Sequence, residues 1–147
     1  MKATIIGTGS YIPEYILTNQ ELSTMVETDD EWIVTRTGIS ERRIQKSGDV
    51  ADMAVNAALK ALDNAGINSE DIDLIIAATS TPDYLFPNCS SIIQKNTGAI
   101  NAVCFDISAA CSGFIMALSA AKAYIEAGMY KVGADIPAGE YVLVADD

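Results

Sequence analysis

Apolar positions along the chain alternate between short unbroken runs and stretches with helical spacing. Thr4 to Ile6 predicts a buried strand ending in a tight turn at Gly7-Thr8-Gly9. Asn19 is placed to cap a short helix through Met25, and Asp29 to cap another through Arg36. Ile39 to Ile44 predicts an edge strand. From Asp49 to Ala65 the apolar residues Ala54, Ala57, Ala58, Ala61 and Leu62 share one helical face, and Gly66 supplies the stop. Leu74 to Ala78 is a continuous apolar run of strand length, the pattern of a strand covered on both faces. Pro87-Asn88 opens a helix through Lys95 that ends at Gly98, Val103 to Ile107 predicts another strand, and a helix from Cys111 to about Ala127 follows. Strands alternating with helices in this way predict an α/β layered fold, with helices covering a mixed sheet.

Bulk properties narrow the field further. At 147 residues, half of them hydrophobic, the chain has the size and composition of one globular domain. Nine Lys and Arg against twenty Asp and Glu give a net charge of −11, which disfavours nucleic acid and anionic membrane surfaces as partners. The three cysteines, Cys89, Cys104 and Cys111, have no CxxC spacing and cannot all pair, so neither a metal site nor a disulfide framework is expected. The N-terminus shows no signal-peptide pattern and no segment has the length of a membrane span, so the expected location is the reduced cytoplasm.

The chemistry concentrates at Cys111. It follows the small-residue exit Ile107-Ser108-Ala109-Ala110 and opens an uncharged helix, an arrangement that brings a thiol to a helix N-terminus and favours the thiolate needed for acyl transfer. From Ser112 to Ala121 that helix is small or apolar all round, predicting burial on most sides. The competing reading of Cys111 is a small core residue, which suits Cys89 and Cys104 well. The chain contains no histidine, the commonest base for a cysteine nucleophile, and no serine triad can be assembled from it. Gly7-Thr8-Gly9 lacks the third glycine of a dinucleotide loop, and no phosphate-loop motif is present.

A second constellation is Trp32 and Arg36, four residues apart on one helical face, where an indole beside a guanidinium can clamp a planar base. The alternative is a half-buried tryptophan under an arginine stem. Arg36, Arg42, Arg43 and Lys46 stand against Glu41 alone, a basic island that suits an anionic partner or, alternatively, defends an exposed strand edge by charge.

Three segments, Ile6-Gly7-Thr8-Gly9-Ser10-Tyr11-Ile12-Pro13, Asp29 to Ile39 (with Glu31-Trp32-Ile33-Val34-Thr35-Arg36-Thr37-Gly38 between), and Asp106-Ile107-Ser108-Ala109-Ala110-Cys111-Ser112-Gly113-Phe114, closely resemble β-ketoacyl-acyl-carrier-protein synthase III. That family comprises the thiolase-fold condensing enzymes that start bacterial fatty-acid synthesis. The run around Trp32 sets it apart from a hydroxymethylglutaryl-type synthase. The resemblance extends from residue 1 to about 131 and implies the N-terminal half of the thiolase fold, with a central buried helix starting at the nucleophile. It implies that Cys111 is acylated, that Trp32 and Arg36, helped by Thr28, hold the adenine end of coenzyme A, and that Phe86 crosses a homodimer interface to line the partner's acyl pocket. Acyl-coenzyme A enters as a substrate, with no permanently bound cofactor, and malonyl-acyl-carrier protein is the second substrate. In the family a histidine and an asparagine from the second half serve the decarboxylation step.

Residues 132–147 depart from the family pattern. Pro137-Ala138-Gly139 predicts a turn into a short strand, and Val132 to Ile136 either echoes a family strand or, with the rest of the tail, belongs to a module joined by truncation or fusion. Without a second half, apolar surface around the Cys111 helix is left exposed, and little or no synthase activity is expected of the chain alone. The alternative is a non-catalytic remnant that binds coenzyme A or a protein partner.

Overall fold

The computed structural model describes residues 3–128 and the strand at 140–144. The chain forms two units, one comprising residues 1–11 and 49–147, the other residues 12–48. In the larger unit, strand β1 (Thr4–Gly9) pairs in parallel with β6 (Glu140–Val144), with a register shift between Ile5 and Gly7. A second parallel pair, β4 (Leu74–Ala78) and β5 (Val103–Ile107), runs in unbroken register from Leu74 opposite Val103 to Ala78 opposite Ile107. Helix α3 (Val50–Ala65) follows the cap Asp49, α4 (Cys89–Thr97) crosses between β4 and β5, and α5 (Gly113–Glu126) follows β5. The strand predicted after Gly139 is therefore present. The turn at Pro137-Ala138-Gly139 and the strand considered for 132–136 lie outside the described residues. No helix among the described residues is long and apolar enough to cross a membrane.

The core is made of small side chains. Ala51, Ala54, Ala58, Ala77, Cys89 and Ile93 form one buried cluster between α3, β4 and α4. Alanine on the α3 face lets the neighbouring backbone come close, and β1 exploits this. A Cβ on Gly9 would lie 2.2 Å from the carbonyl oxygen of Ala57, and one on Gly7 would lie 2.7 Å from that of Ala61. Gly7-Thr8-Gly9 is thus not a turn: it continues β1, and its two glycines, which share a strand face, admit α3 into near contact. Nor is β1 a buried strand throughout, since Thr4 and Ile5 are exposed.

Two carboxylates fasten the helix starts. Asp83, in the loop after β4, accepts from the N–H groups of Val50 and Ala51, each at 2.9 Å. Asp106 of β5 accepts from those of Cys89 and Ser90 at 2.8 and 2.9 Å. Each fork satisfies two otherwise unpaired donors and sets negative charge at the positive end of a helix.

In the smaller unit, β2 (Tyr15–Thr18) and β3 (Glu41–Ile44) form an antiparallel pair. Between them lie α1 (Asn19–Leu22) and α2 (Asp30–Thr37). Thr18, rather than Asn19, caps α1, because its hydroxyl accepts from the N–H of Glu21. Asn19 is free for a different role, described below. Asp29 caps α2 as expected, and Gly38 closes it in the left-handed conformation at φ +72°.

Candidate active site

The larger unit brings two strand exits to one place. Chain leaving β5 passes through Ala109 into a single 3-10 turn, Ala110–Ser112, before α5 begins at Gly113. Cys111 sits in this turn, two residues ahead of the α-helix rather than in its first turn. Ala110 has φ +46°, the only non-glycine residue with positive φ among the described residues. That conformation costs an L-residue about 1–2 kcal/mol, and strain of this kind concentrates where a side chain must be aimed. Local bonds hold it in place. Ala110 N–H donates to Ser80 Oγ at 3.1 Å, tying the turn to the exit of β4, and the Ser112 hydroxyl donates to the Ala109 carbonyl at 2.7 Å. Gly113 is buried, with space for a Cβ only 3.3 Å from that of Ala78.

Cys111 is exposed at this junction, and no side chain caps α5. The N–H groups of the first helical turn are therefore not occupied by a capping side chain, as an anion-stabilising helix end requires. The other two cysteines contrast with it. Cys89 is buried in the core cluster, and the Cys104 thiol is pushed above its ordinary pKa by burial first and by the negative charge of Asp106 second. Cys89 matches the reading of a small core residue, whereas Cys104 is only half-buried.

Helix α5 differs from its expectation. It is buried along one stripe, Gly113, Ala117, Ala121 and Ile125, which faces β4 and β5, while Phe114, Ile115 and Met116 are exposed. Spacing by four residues explains the stripe; uniform apolarity had concealed which side would be covered. The loop preceding α4 also presents apolar residues to solvent, with Leu85 at 95% and Phe86 at 91% exposure.

In the smaller unit the guanidinium carbon of Arg36 lies 4.5 Å from the Trp32 ring centroid, so the two side chains share a face as their spacing requires. Trp32 is 52% exposed, leaving much of the indole uncovered; Thr28 is half-buried. Other members of the basic island are engaged within the unit. Arg42 donates to Asn19 Oδ1 at 2.8 Å, Arg43 to the Pro13 and Glu14 carbonyls, and the Lys46 ammonium lies 3.4 Å from the Tyr15 ring centroid. Thr28, Trp32 and Arg36 thus belong to one unit, Cys111 and Phe86 to the other.

Comparison with known proteins places this geometry in context. The family model for 3-oxoacyl-[acyl-carrier-protein (ACP)] synthase III matches residues 105–137, the segment that runs from the end of β5 through the Cys111 turn and α5. The β-ketoacyl-[acyl-carrier-protein] synthase III of Caldanaerobacter subterraneus subsp. tengcongensis is 55% identical over 130 residues, 88% of this chain and 39% of its own. The chain matches part of β-ketoacyl-[acyl-carrier-protein] synthase III. Solved structures agree in fold. The synthase III of Aquifex aeolicus VF5 superposes with a TM-score of 0.82 at 50% identity, covering 84% of this chain and 40% of that one. The synthase III of Thermus thermophilus gives 0.81 at 40% identity, with 86% and 40% covered. The fold is therefore that of the synthase III enzymes, and the chain spans about two-fifths of the length of these relatives.

Sequence reasoning passed over three residues that shape these sites. Asp106 carried a signal, an acid inside the apolar strand Val103–Ile107, where a carboxylate needs donors. Ser80 and Asn19 carried none that separates them from ordinary loop and cap residues.

Proposed function

We propose that this chain supplies the acyl-accepting cysteine of a β-ketoacyl synthase III. In this reading a short acyl group passes from coenzyme A to Cys111: the thiolate sulfur attacks the thioester carbonyl, a tetrahedral oxyanion forms, and collapse expels the coenzyme A thiolate. The Cys111 N–H is a candidate donor to that oxyanion. In the complete reaction malonyl-acyl-carrier protein then loses carbon dioxide, and the resulting carbanion attacks the acyl-Cys111 carbonyl, giving β-ketoacyl-carrier protein and regenerating the thiolate. Trp32 and Arg36, with Thr28, hold the adenine end of coenzyme A, and Phe86 lines the acyl pocket of a partner copy in a cytoplasmic homodimer. Coenzyme A is a substrate here, and no resident cofactor is required.

The observation that carries the reading is the exposed Cys111 on its strained turn before an uncapped helix, within the segment that the family model matches. The 147 residues contain no histidine to serve the decarboxylating half-reaction. We therefore expect the chain to accept an acyl group without completing condensation. Incubation with acetyl-coenzyme A should add one acetyl mass, lost in Cys111→Ser, and malonyl-carrier protein should not be consumed. Saturable coenzyme A binding with an unreactive Cys111 would favour a non-catalytic binding role instead.

A further inference from the structure

Asn19 is one of the largest fully buried side chains among the described residues, at 0% exposure, and every polar atom of its amide group is used. Its Nδ2 donates to Asp30 Oδ1 at 2.7 Å and to the Ile39 carbonyl at 2.8 Å, and its Oδ1 accepts from Arg42 Nη2 at 2.8 Å. Its backbone N–H donates to the Ser40 carbonyl at 3.2 Å. Asp30 is the first residue of α2, and Ile39 directly follows the Gly38 cap that ends it. One amide therefore grips both ends of the helix that carries Trp32 and Arg36, and ties them to β3 through Arg42.

Helix α2 needs such a grip. It has eight residues, too few to be stable alone, and Ile33 is its only buried residue. Apolar packing thus contributes little to its position, and the polar ties to Asn19 set it. Glutamine carries the same amide only on a stem one methylene longer, aspartate would lack both donors and face Asp30, and leucine would lack all three groups.

We propose that Asn19 is a positioning residue for adenine recognition, holding α2 so that the Trp32 indole and the Arg36 guanidinium present one clamp. This rests on the reading of Trp32 and Arg36 as the adenine-binding pair. A stacking clamp tolerates displacements of only about 0.5 Å, so loosening α2 weakens binding without touching the thiol chemistry.

The test uses the 147-residue chain and coenzyme A. Trp32 is the only tryptophan, so its fluorescence reports the clamp directly. Saturable quenching by coenzyme A is expected, with Kd raised at least about tenfold in Asn19→Leu and about threefold in Asp30→Ala, which cuts one tie at the exposed surface. In Cys111 acylation, Asn19→Leu should raise the half-saturating acetyl-coenzyme A concentration and preserve the limiting rate. Acylation by acetyl-pantetheine, which has no adenine, should be unchanged. Wild-type affinity in Asn19→Leu, alongside weakened binding in Arg36→Ala, would overturn the role of Asn19 and leave the clamp standing. A lowered limiting rate at unchanged half-saturation would overturn it too, by showing a merely structural role. Absence of quenching in the wild type, or an Arg36→Ala variant that binds normally, would sink the clamp and the inference with it. If Asn19→Leu does not fold, Asp30→Ala decides: wild-type affinity there overturns the proposal.

Discussion

Replacing Gly9 by alanine tests the close approach of β1 to α3. The added Cβ would lie 2.2 Å from Ala57 O and 2.4 Å from Ala61 N, both backbone atoms of α3, whereas ordinary contact begins at 3.4 Å. Either β1 or the 16-residue helix must retreat by about 1.2 Å, since no flexible side chain is available to yield. A gap of 0.5–1 Å already forfeits roughly a quarter to a half of each dispersion contact along the interface. Overpacking usually costs about 1–3 kcal/mol, and a clash with backbone belongs at the upper end, so we expect about 3 kcal/mol. In urea, with a slope near 2 kcal/mol per molar, the midpoint should fall by about 1.5 M. Gly66→Ala is the comparison. Its glycine sits at φ +69° with nothing within 4 Å, so only backbone strain of about 1 kcal/mol is expected. A Gly9→Ala midpoint no lower than that of Gly66→Ala would refute the close-approach argument.

Further outcomes follow from the helix forks and the thiols. Asp106→Asn keeps the side-chain shape but turns an amide donor toward one of the Cys89 and Ser90 N–H groups, so it should lower stability by about 2 kcal/mol, read as a drop near 1 M in the urea midpoint; an unchanged midpoint would show the fork to be dispensable. Because burial and Asp106 raise the Cys104 pKa, its thiolate fraction at a given pH is below that of an ordinary thiol. Its alkylation-rate profile should therefore lie at higher pH than that of a model thiol, and a profile at or below the model thiol's would contradict the assigned causes.

Much of this fold is legible where structure is determined locally. The apolar runs gave β4 and β5 their observed bounds, and Asp29, Asp49 and Asn88 at the starts, with Gly66 and Gly98 at the far ends of α3 and α4, delimited α2, α3 and α4 to within a residue or two. Non-local contacts were harder. Gly7 and Gly9 read as a turn because glycine marks turns, although two glycines two residues apart, facing an alanine-rich helical face, are also the mark of a strand in close contact. Asn19 passed for a cap because its partners, Asp30, Ile39 and Arg42, lie 11, 20 and 23 residues away. The covered side of α5 was hidden by its uniform apolarity. At the site, Cys111 was legible as a helix-associated thiol, but the strained Ala110 and the bond from its N–H to Ser80 depend on how two strand exits meet.

The central claim is that Cys111 alone among the three cysteines accepts an acyl group from a thioester. Peptide mapping by mass spectrometry after brief exposure of the folded chain to acetyl-coenzyme A tests it most directly, with Cys89 and Cys104 as internal controls. Acetyl thioester is expected on Cys111, none on buried Cys89 or on Cys104, and none anywhere in Cys111→Ser. Equal labelling of Cys104, or an unmodified Cys111 in a folded chain, would contradict it.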